Sequence, residues 1–363
     1  MNINSLIDKC LYKLSLIRHH WGFYFSQRRL LKYGNTPRLT KTEKKELQNT
    51  WDAITFRHID YIWYRIYKRE RGFSPFFLGE MQVWYMLEKL NPYDQVVSLQ
   101  NKALCDVYFP QIPYPRTIIR CINGTLYSRE MHMITINDAL TLIHEVDSFI
   151  IKPSIETLQG KGVKKINSAS INNIEELKTL FHSIGQDFIL QHVIKQHPDI
   201  AKLNPTSLNT CRITSILLND QFQTSTNIKI GKLNSIKDNW NSSYFINVDK
   251  NGYFSEFGYD YYLNRVYQTD NGFTFKGLKI PFYDKMLEFV ERTHRSLFPQ
   301  CGVIGWDITI DENNEISVIE LNLTCPGIAV EQLVSGDFLR PLAKDINNAM
   351  KLRNYHTYRK HIL

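Results

Sequence analysis

The chain reads as an α+β protein, with a helical N-terminal region followed by a body of mostly antiparallel sheet. Three observations predict this. Through residue 90, apolar and aromatic residues recur at three- and four-residue spacing. From Val96 onward, short apolar runs alternate with Pro, Gly and Asn turn signals. The run from Gly305, GWDITIDENNEISVIELN, alternates apolar and polar residues on both sides of Asn313-Asn314, the pattern of a β-hairpin.

Taken in order, TKTEKKELQNTWDAITFRHIDYIWYRIYKRERG opens with capping residues and reads as helix until Gly72. GEMQVWYMLEKLN predicts a second helix, stopped by Pro92. NKALCDVYFPQIPYPRTIIRCINGTLYS offers a helix opened by Lys102, a Pro-rich turn, an apolar strand and an Asn123-Gly124 turn. SFIIKPS reads as a strand, NIEELKTLFHSIG as a helix with Asn173 near its start, and DFILQHVI as a strand. TCRITSILL and QTSTNIKIG are strands, VDKNGYFSE holds a turn, and PFYDKMLEFVERTHRSLF is an amphipathic helix leading into the hairpin.

That hairpin raises a question of charge. With Asn313-Asn314 as a two-residue loop, Glu312 pairs with Glu315, Ile310 with Ser317, Ile308 with Ile319 and Asp307 with Glu320. Trp306, Ile308 and Ile310 then share one face with Ile319 and Leu321, while Asp307, Glu320 and Asn322 share the other. Like charges directly opposite destabilise a sheet. Three oxygen donors on one strand pair suit a hard cation such as Mg²⁺, which would cancel that repulsion. A solvent-exposed acidic face accounts for the hairpin equally well when it is taken alone.

Composition narrows the function classes. The 363 residues are 43% apolar and 22% charged, as expected of a globular chain with room for two or three domains. There is no apolar run of about 18 residues to span a bilayer, and the N-terminus lacks a signal-peptide pattern, so a cytoplasmic protein is expected. Six cysteines never approach within sixteen residues of one another, so no zinc knuckle or redox CxxC is suggested and buried thiols are expected. The net charge of +8 is concentrated in residues 1 to 46, which hold ten Lys/Arg against three acids. The nearly neutral body argues against a nucleic-acid track. In the basic arm, Leu6, Ile7, Cys10, Leu11, Leu14 and Ile17 recur at helical spacing. That pattern fits packing on its own domain or a subunit partner first, and an anionic membrane face second.

Two further segments bear on chemistry. In FIIKPSIETLQGKGVKKI, a strand delivers Lys152, Pro153 ends it, and Gly160-Lys161-Gly162 follow. Glycine N–H groups and a lysine can wrap phosphate oxygens, although an ordinary hairpin turn also explains the tripeptide and the Walker A spacing is absent. In LQHVIKQHPDIAKLNPTSLNTCRITSILL, the strand end Gln191-His192-Val193 offers backbone groups to a purine and Arg212 a guanidinium to a terminal phosphate. His192 and His197 have no further His or Cys spaced to complete a zinc site.

In this order the pieces resemble the ATP-grasp superfamily, and within it the sugar-transfer-associated ATP-grasp proteins found with bacterial surface-polysaccharide genes. NKALCDVYF, IIRCINGTLYS, IIKPS…GKGV, QHPDIAKLNPTSLNTCRI and GWDITI…VIELN carry the resemblance, over roughly residues 70 to 340. It implies an ATP-grasp fold, in which two α+β subdomains grip ATP, behind the N-terminal helical region. Four parts are expected: a helical region with its basic arm (1–90), the lid part with the phosphate-covering loop (91–190), the metal-site part (191–345) and a basic C-terminal tail (346–363).

The resemblance implies that Lys102 and Lys152 hold the α- and β-phosphates, that Gly160, Lys161, Gly162 and Val163 fold over the nucleotide, and that Gln191, His192 and Val193 meet adenine. It makes Arg212 the catalytic group on the moving phosphoryl, and Asp307, Glu320 and Asn322 the ligands of Mg²⁺, with two ions expected. Lys229, Lys232, Asp238 and Asn239 become substrate-side candidates. His192 stands where the family commonly has Glu, and NWNSSYF lacks an expected Gly-Gly. The implied activity is an ATP-dependent carboxylate–amine ligase acting through an acylphosphate. Its substrates would be a uronic acid or sugar and an amino acid or amine, in capsule or O-antigen synthesis. A kinase of the same fold and a non-catalytic binding protein of a polysaccharide locus are the alternatives. The protein would be cytoplasmic or at the inner membrane face.

Overall fold

A computed structural model describes residues 36–54, 56, 61–155, 162–233 and 242–352. Residues 1–35, with the helical repeat of the basic arm, Gly160, Lys161, Asp238, Asn239 and the last eleven residues lie outside the described residues.

The N-terminal region is helical, but its first run is not one helix. Helix α1 (Lys41–Thr50) starts in a capping box, with Thr40 accepting from the Glu43 N–H and Glu43 accepting from the Thr40 N–H. It stops at Trp51, whose buried indole donates to the Pro75 carbonyl at 2.9 Å. The Gln48 side chain closes the turn by donating to the Ile54 carbonyl and accepting from the Phe56 N–H. Helix α2 (Ile62–Arg71) begins anew and ends, as expected, at Gly72 with φ +83°. Helix α3 (Glu80–Leu90) matches the second predicted helix.

The body contains two antiparallel sheets. The five-stranded sheet has the order β2-β1-β5-β3-β4, built from β1 (Thr117–Ile122), β2 (Thr125–Ser128), β3 (Ser148–Pro153), β4 (Lys164–Asn167) and β5 (Phe188–His192). Asn123 and Gly124, both at positive φ, form the tight β1–β2 turn that their sequence demands. Helices α4 (Ile136–His144) and α5 (Ile174–Ile184) contribute to a core with Ile119, Cys121, Phe149, Ile151, Phe188 and Leu190. Asn173 caps α5 by accepting from the Glu175 and Glu176 N–H groups. Because side chains alternate along a strand, Lys152 points away from that core while Phe149 and Ile151 enter it.

The seven-stranded sheet has the order β10-β9-β8-β7-β6-β11-β12. Its central strands are β6 (Thr210–Leu218), β7 (Gln221–Gly231) and β8 (Ser243–Val248), with β9 (Phe254–Tyr259) and β10 (Arg265–Val266) at one edge and β11 (Val303–Ile310) and β12 (Ile316–Asn322) at the other. Helix α6 (Tyr283–Leu297) packs on one face, against Ile213, Ile304, Trp306 and Ile308. The opposite face carries Arg212, Lys229 and Asp307 and meets helix α7 (Ile328–Ser335) along β7 and β8. Helix α8 (Ala343–Leu352) places Ile346 and Met350 in a core shared with α3.

The opening hairpin differs from its expected register in an instructive way. Ile310 faces Ile316, Thr309 faces Ser317 and Ile308 faces Val318, so the loop spans 311–315 rather than two residues. Asp311 Oδ1 accepts from the Asn313 and Glu315 N–H groups and closes that loop. A bulge then inserts Ile319, after which Asp307 faces Glu320 as expected. The expected partnership of Ile308 with Ile319 is therefore replaced by Val318, and Ile319 stays only half-buried. Simple alternation cannot count a bulged residue.

Cys105, Cys121, Cys211 and Cys301 are free buried thiols, but Cys325 is exposed; Cys10 lies outside the described residues. No helix among the described residues is long and apolar enough to cross a membrane.

Candidate active site

The strand registers bring the candidate groups together. On the α7-facing side of the large sheet, Arg212 of β6 lies directly opposite Asp307 of β11 and Asn227 of β7, and Asp307 lies opposite Glu320 of β12. Lys229 stands two residues along β7 from Asn227, hence on the same face. Asp307 is only 4% exposed. Its Oδ1 accepts from Arg212 Nε at 2.6 Å and its Oδ2 from the other arm of the guanidinium at 2.9 Å, a bidentate pair. Lys229 Nζ sits 3.2 Å from both carboxylate oxygens. Arg212 also donates to the Pro326 carbonyl at 2.8 Å.

Two expectations meet this geometry differently. Asp307 and Glu320 are indeed cross-strand partners, but the acidic pair is not left unbalanced without a ligand. Arg212 and Lys229 answer Asp307, and Lys102 Nζ lies 3.3 Å from Glu320 Oε2. Burial pushes the Asp307 carboxyl up, yet the charges of Arg212 and Lys229 overcome it and hold the group well below the usual carboxylate range. Burial likewise opposes the Arg212 charge, and Asp307 more than restores it. Asn322, across from Gly305, donates to the Gly305 carbonyl at 3.3 Å and contacts Asp307 Oδ2 at 3.4 Å. Among the described residues no cluster of three or more His, Cys, Asp or Glu side chains suits a metal. The oxygen set here is two carboxylates and a carboxamide, which suits Mg²⁺ chemically.

Lys102 and Lys152 arrive from the other sheet. Lys152, next to the last residue of β3, is 7% exposed, and among the described residues its ammonium has neither a hydrogen bond nor an ion pair. Burial pushes its ammonium down to about 8, Lys102 adds to the shift, and Glu320, Cys105 and Asp307 oppose it. Lys102 does not open a helix. It lies in the turn before the short helix Cys105–Tyr108, and its N–H donates to the Ser154 carbonyl at 3.0 Å. Burying an ammonium that no hydrogen-bonded counter-ion meets is costly.

The remaining candidates are dispersed. Gly162 has φ +84°, and a Cβ there would lie 2.8 Å from the Pro153 ring, so glycine is required where the loop returns over β3. Val163, half-buried, follows it. The Gln191 side chain donates to the Pro115 carbonyl and the His192 N–H to the Arg116 carbonyl, so both are already engaged with the 113–117 segment. Burial, then Arg116 and Arg129, lower the His192 imidazole below its ordinary value. Val193 continues past the strand. Lys232 does not join Asp307; its ammonium lies over the Tyr244 ring at 5.4 Å.

Two residues near the site carried a signal that went unused. Glu331 of α7 is fully buried and accepts from Ser225 at 2.5 Å, from Ser335 at 2.7 Å and from Asn227. Arg120 is fully buried on β1 and grips Asp106. Each is a lone charge within an apolar run, VEQLV and TIIRCI, and a lone charge there calls for a buried partner.

Comparison with known proteins gives the setting. No curated protein matches the chain. Among solved structures it is similar to a D-alanyl-alanine synthetase A from Vibrio cholerae, at 11% identity and TM-score 0.39, covering 71% of this chain and 66% of that one. A D-cycloserine synthetase shows 13% identity and TM-score 0.42, covering 75% and 82%. An L-amino acid ligase from Bacillus licheniformis shows 12% identity and TM-score 0.40, covering 69% and 48%. The chain spans about two thirds or less of the length of several such relatives, 66%, 44% and 63% for three of them. A family profile also matches most of the sequence. Residues 82–348, which include Lys102, Lys152, Arg212 and the Asp307–Glu320–Asn322 set, fit that profile, and the chain belongs to the sugar-transfer associated ATP-grasp family.

Proposed function

We propose that the protein is an ATP- and Mg²⁺-dependent ligase that joins a carboxylate to an amine. One observation carries the reading most directly. Lys102 and Lys152 come from one sheet to the carboxylates that Asp307 and Glu320 present from the other, and among the described residues the buried Lys152 ammonium has no hydrogen bond or ion pair. Paired lysines beside carboxylates that can hold a cation suit a polyphosphate.

In this reading Lys102 and Lys152 hold the α- and β-phosphates, with Gly160, Lys161, Gly162 and Val163 as the covering loop and Gln191, His192 and Val193 beside the base. Asp307, Glu320 and Asn322 hold Mg²⁺, which when bound supplies charge that offsets the phosphates. Arg212 stabilises the transferring phosphoryl group. A substrate carboxylate oxygen bonds to the terminal phosphorus and ADP leaves. The amine then attacks the acylphosphate carbon, and phosphate and a proton leave as the amide forms. Lys229, Lys232, Asp238 and Asn239 serve the acceptor side. The family's association with sugar transfer supports a uronic acid or sugar joined to an amino acid or amine in capsule or O-antigen synthesis. The four-part division at residues 91, 191 and 346, a cytoplasmic location and contact of the basic arm with the inner membrane face belong to the same proposal.

The test is trapping. With ATP, Mg²⁺ and a carboxylate drawn from panels of uronic acids and amino acids, and with amine withheld, hydroxylamine yields an acylhydroxamate in the wild type and almost none in Arg212→Ala. ATP consumption with a stable phosphorylated product and no acylhydroxamate would replace the ligase by a kinase.

A further inference from the structure

Lys102 lies between a carboxylate and another cation, with its Nζ 3.3 Å from Glu320 Oε2. It stands near a second, buried ammonium, Lys152, which its charge helps push down to about 8. The segment that carries it is a turn followed by one four-residue helix, Cys105–Tyr108, too short to hold its own shape. Something outside the segment must fix its backbone so that Lys102 keeps this place.

We propose that Arg120 is a positioning residue that fixes Lys102 relative to Lys152. This rests on the reading of both lysines as phosphate-holding groups. Arg120 of β1 and Lys152 of β3 flank the same residue of β5, Ile189, so the two lie in one cross-strand row. Arg120 is 0% exposed and spends its guanidinium on the Lys102 segment. One arm donates to the carbonyl of Ala103, the residue after Lys102, at 2.7 Å and to Asp106 Oδ1 at 2.9 Å. The other donates to Asp106 Oδ2 at 3.0 Å and to the Arg129 carbonyl at 2.9 Å. Thr117, on the same strand, donates to Asp106 Oδ2 at 2.7 Å.

On its other side the segment is tied to β3, through the Lys102 N–H and the Ser154 carbonyl. Lys102 is thus held from both sides by the sheet that presents Lys152. A buried guanidinium is ordinarily explained by its one carboxylate, but here two of its hydrogen bonds go to main-chain carbonyls, and one of these adjoins Lys102. The planar fork is what allows one side chain to span a carbonyl and both carboxylate oxygens. Lysine has no such fork.

The experiment is a double-mutant cycle on the full chain, combining Arg120→Met with Lys102→Ala and reading ATP KM, kcat and the Kd of a non-hydrolysable ATP analogue with Mg²⁺. If Arg120 acts through Lys102, Arg120→Met raises KM and Kd by about tenfold with little change in kcat, and adds less than about twofold once Lys102 is already alanine. Asp106→Asn, which keeps the guanidinium and weakens its grip, runs through the same cycle and stands in if Arg120→Met does not fold. Equal losses of affinity in both backgrounds, or unchanged affinity in the Lys102-containing background, overturn the positioning role. Lys102→Ala with unchanged affinity overturns the nucleotide reading itself, and with it this inference, and is told apart because it is read in the single variant.

Discussion

Arg212 and Asp307, ninety-five residues apart in the chain, face each other across β6 and β11 and are joined fork to fork at 2.6 and 2.9 Å. Glu320, the next carboxylate across the sheet, pairs with Lys102 at 3.3 Å and is 28% exposed. Two acids with one expected role therefore sit in different electrostatic settings, and substitution separates them.

Asp307→Asn leaves Arg212 and Lys229 without their shared counter-charge in a buried site. It lowers stability by about 3 kcal/mol, the usual cost of breaking a buried pair from one side. Glu320→Gln lowers stability by less than about 1 kcal/mol, because its pair is half-exposed, yet nearly abolishes ADP formation. Urea denaturation and ADP release measured on both variants check this. Wild-type turnover in Glu320→Gln at ordinary Mg²⁺ removes Glu320 from the metal set.

Lys152 titrates within reach of experiment. Its buried ammonium, pushed down to about 8, is charged below that pH and neutral above it. An anion is held by the charged form, so the Kd for ATP is flat up to pH 8 and then rises, by up to about tenfold per pH unit. Lys152→Arg keeps its charge throughout and flattens the profile. Calorimetric titration between pH 7 and 9.5 gives the answer, and a flat wild-type profile refutes the assignment.

Loss of either cation has its own kinetic signature. Lys152→Ala chiefly raises the KM for ATP, whereas Arg212→Ala chiefly slows turnover, by roughly a hundredfold or more. Steady-state kinetics at saturating and limiting ATP distinguish the two, and an unchanged kcat in Arg212→Ala contradicts a transition-state role.

His294 makes the fold sensitive to acid. Its ring meets Ser215 at 2.8 Å and the Cys301 carbonyl at 2.9 Å, and burial pushes the imidazole down from its ordinary 6.5 to about 4. Between those values the unfolded chain binds a proton that the native chain does not. Stability from this group is therefore complete above pH 6.5 and lost as pH falls toward 4, by about 3 kcal/mol. Thermal unfolding across that range shows a steeper acid slope for the wild type than for His294→Gln. Equal slopes exclude His294 as the cause.

Local rules carried most of the elements. Thr40 and Asn173 mark helix starts, Gly72 a helix end and Asn123-Gly124 a turn, because each acts on neighbours within a few residues. The rules failed where a side chain reached further. Gln48 and Trp51 divide the first helical run through contacts that spacing cannot reveal.

The candidate chemistry divides in the same way. Residue types make Lys152, Arg212, Asp307, Glu320 and Asn322 candidates, since phosphate and Mg²⁺ demand cations and oxygen donors whatever the fold, and the family resemblance adds Lys102. Their balance was decided by tertiary structure. Lys229 is seventy-eight residues from Asp307 in sequence and reaches its carboxylate only through the β7-β6-β11 order. The bulge at Ile319 shifts the ladder so that Val318 and Leu321 both enter the core while Glu320 still faces Asp307. Arg120 comes to hold the Lys102 segment only because β1 lies beside β5 and the segment folds back over it. Period and propensity describe a chain along its length, whereas pairing across strands depends on which distant carboxylate meets which cation when both leave water.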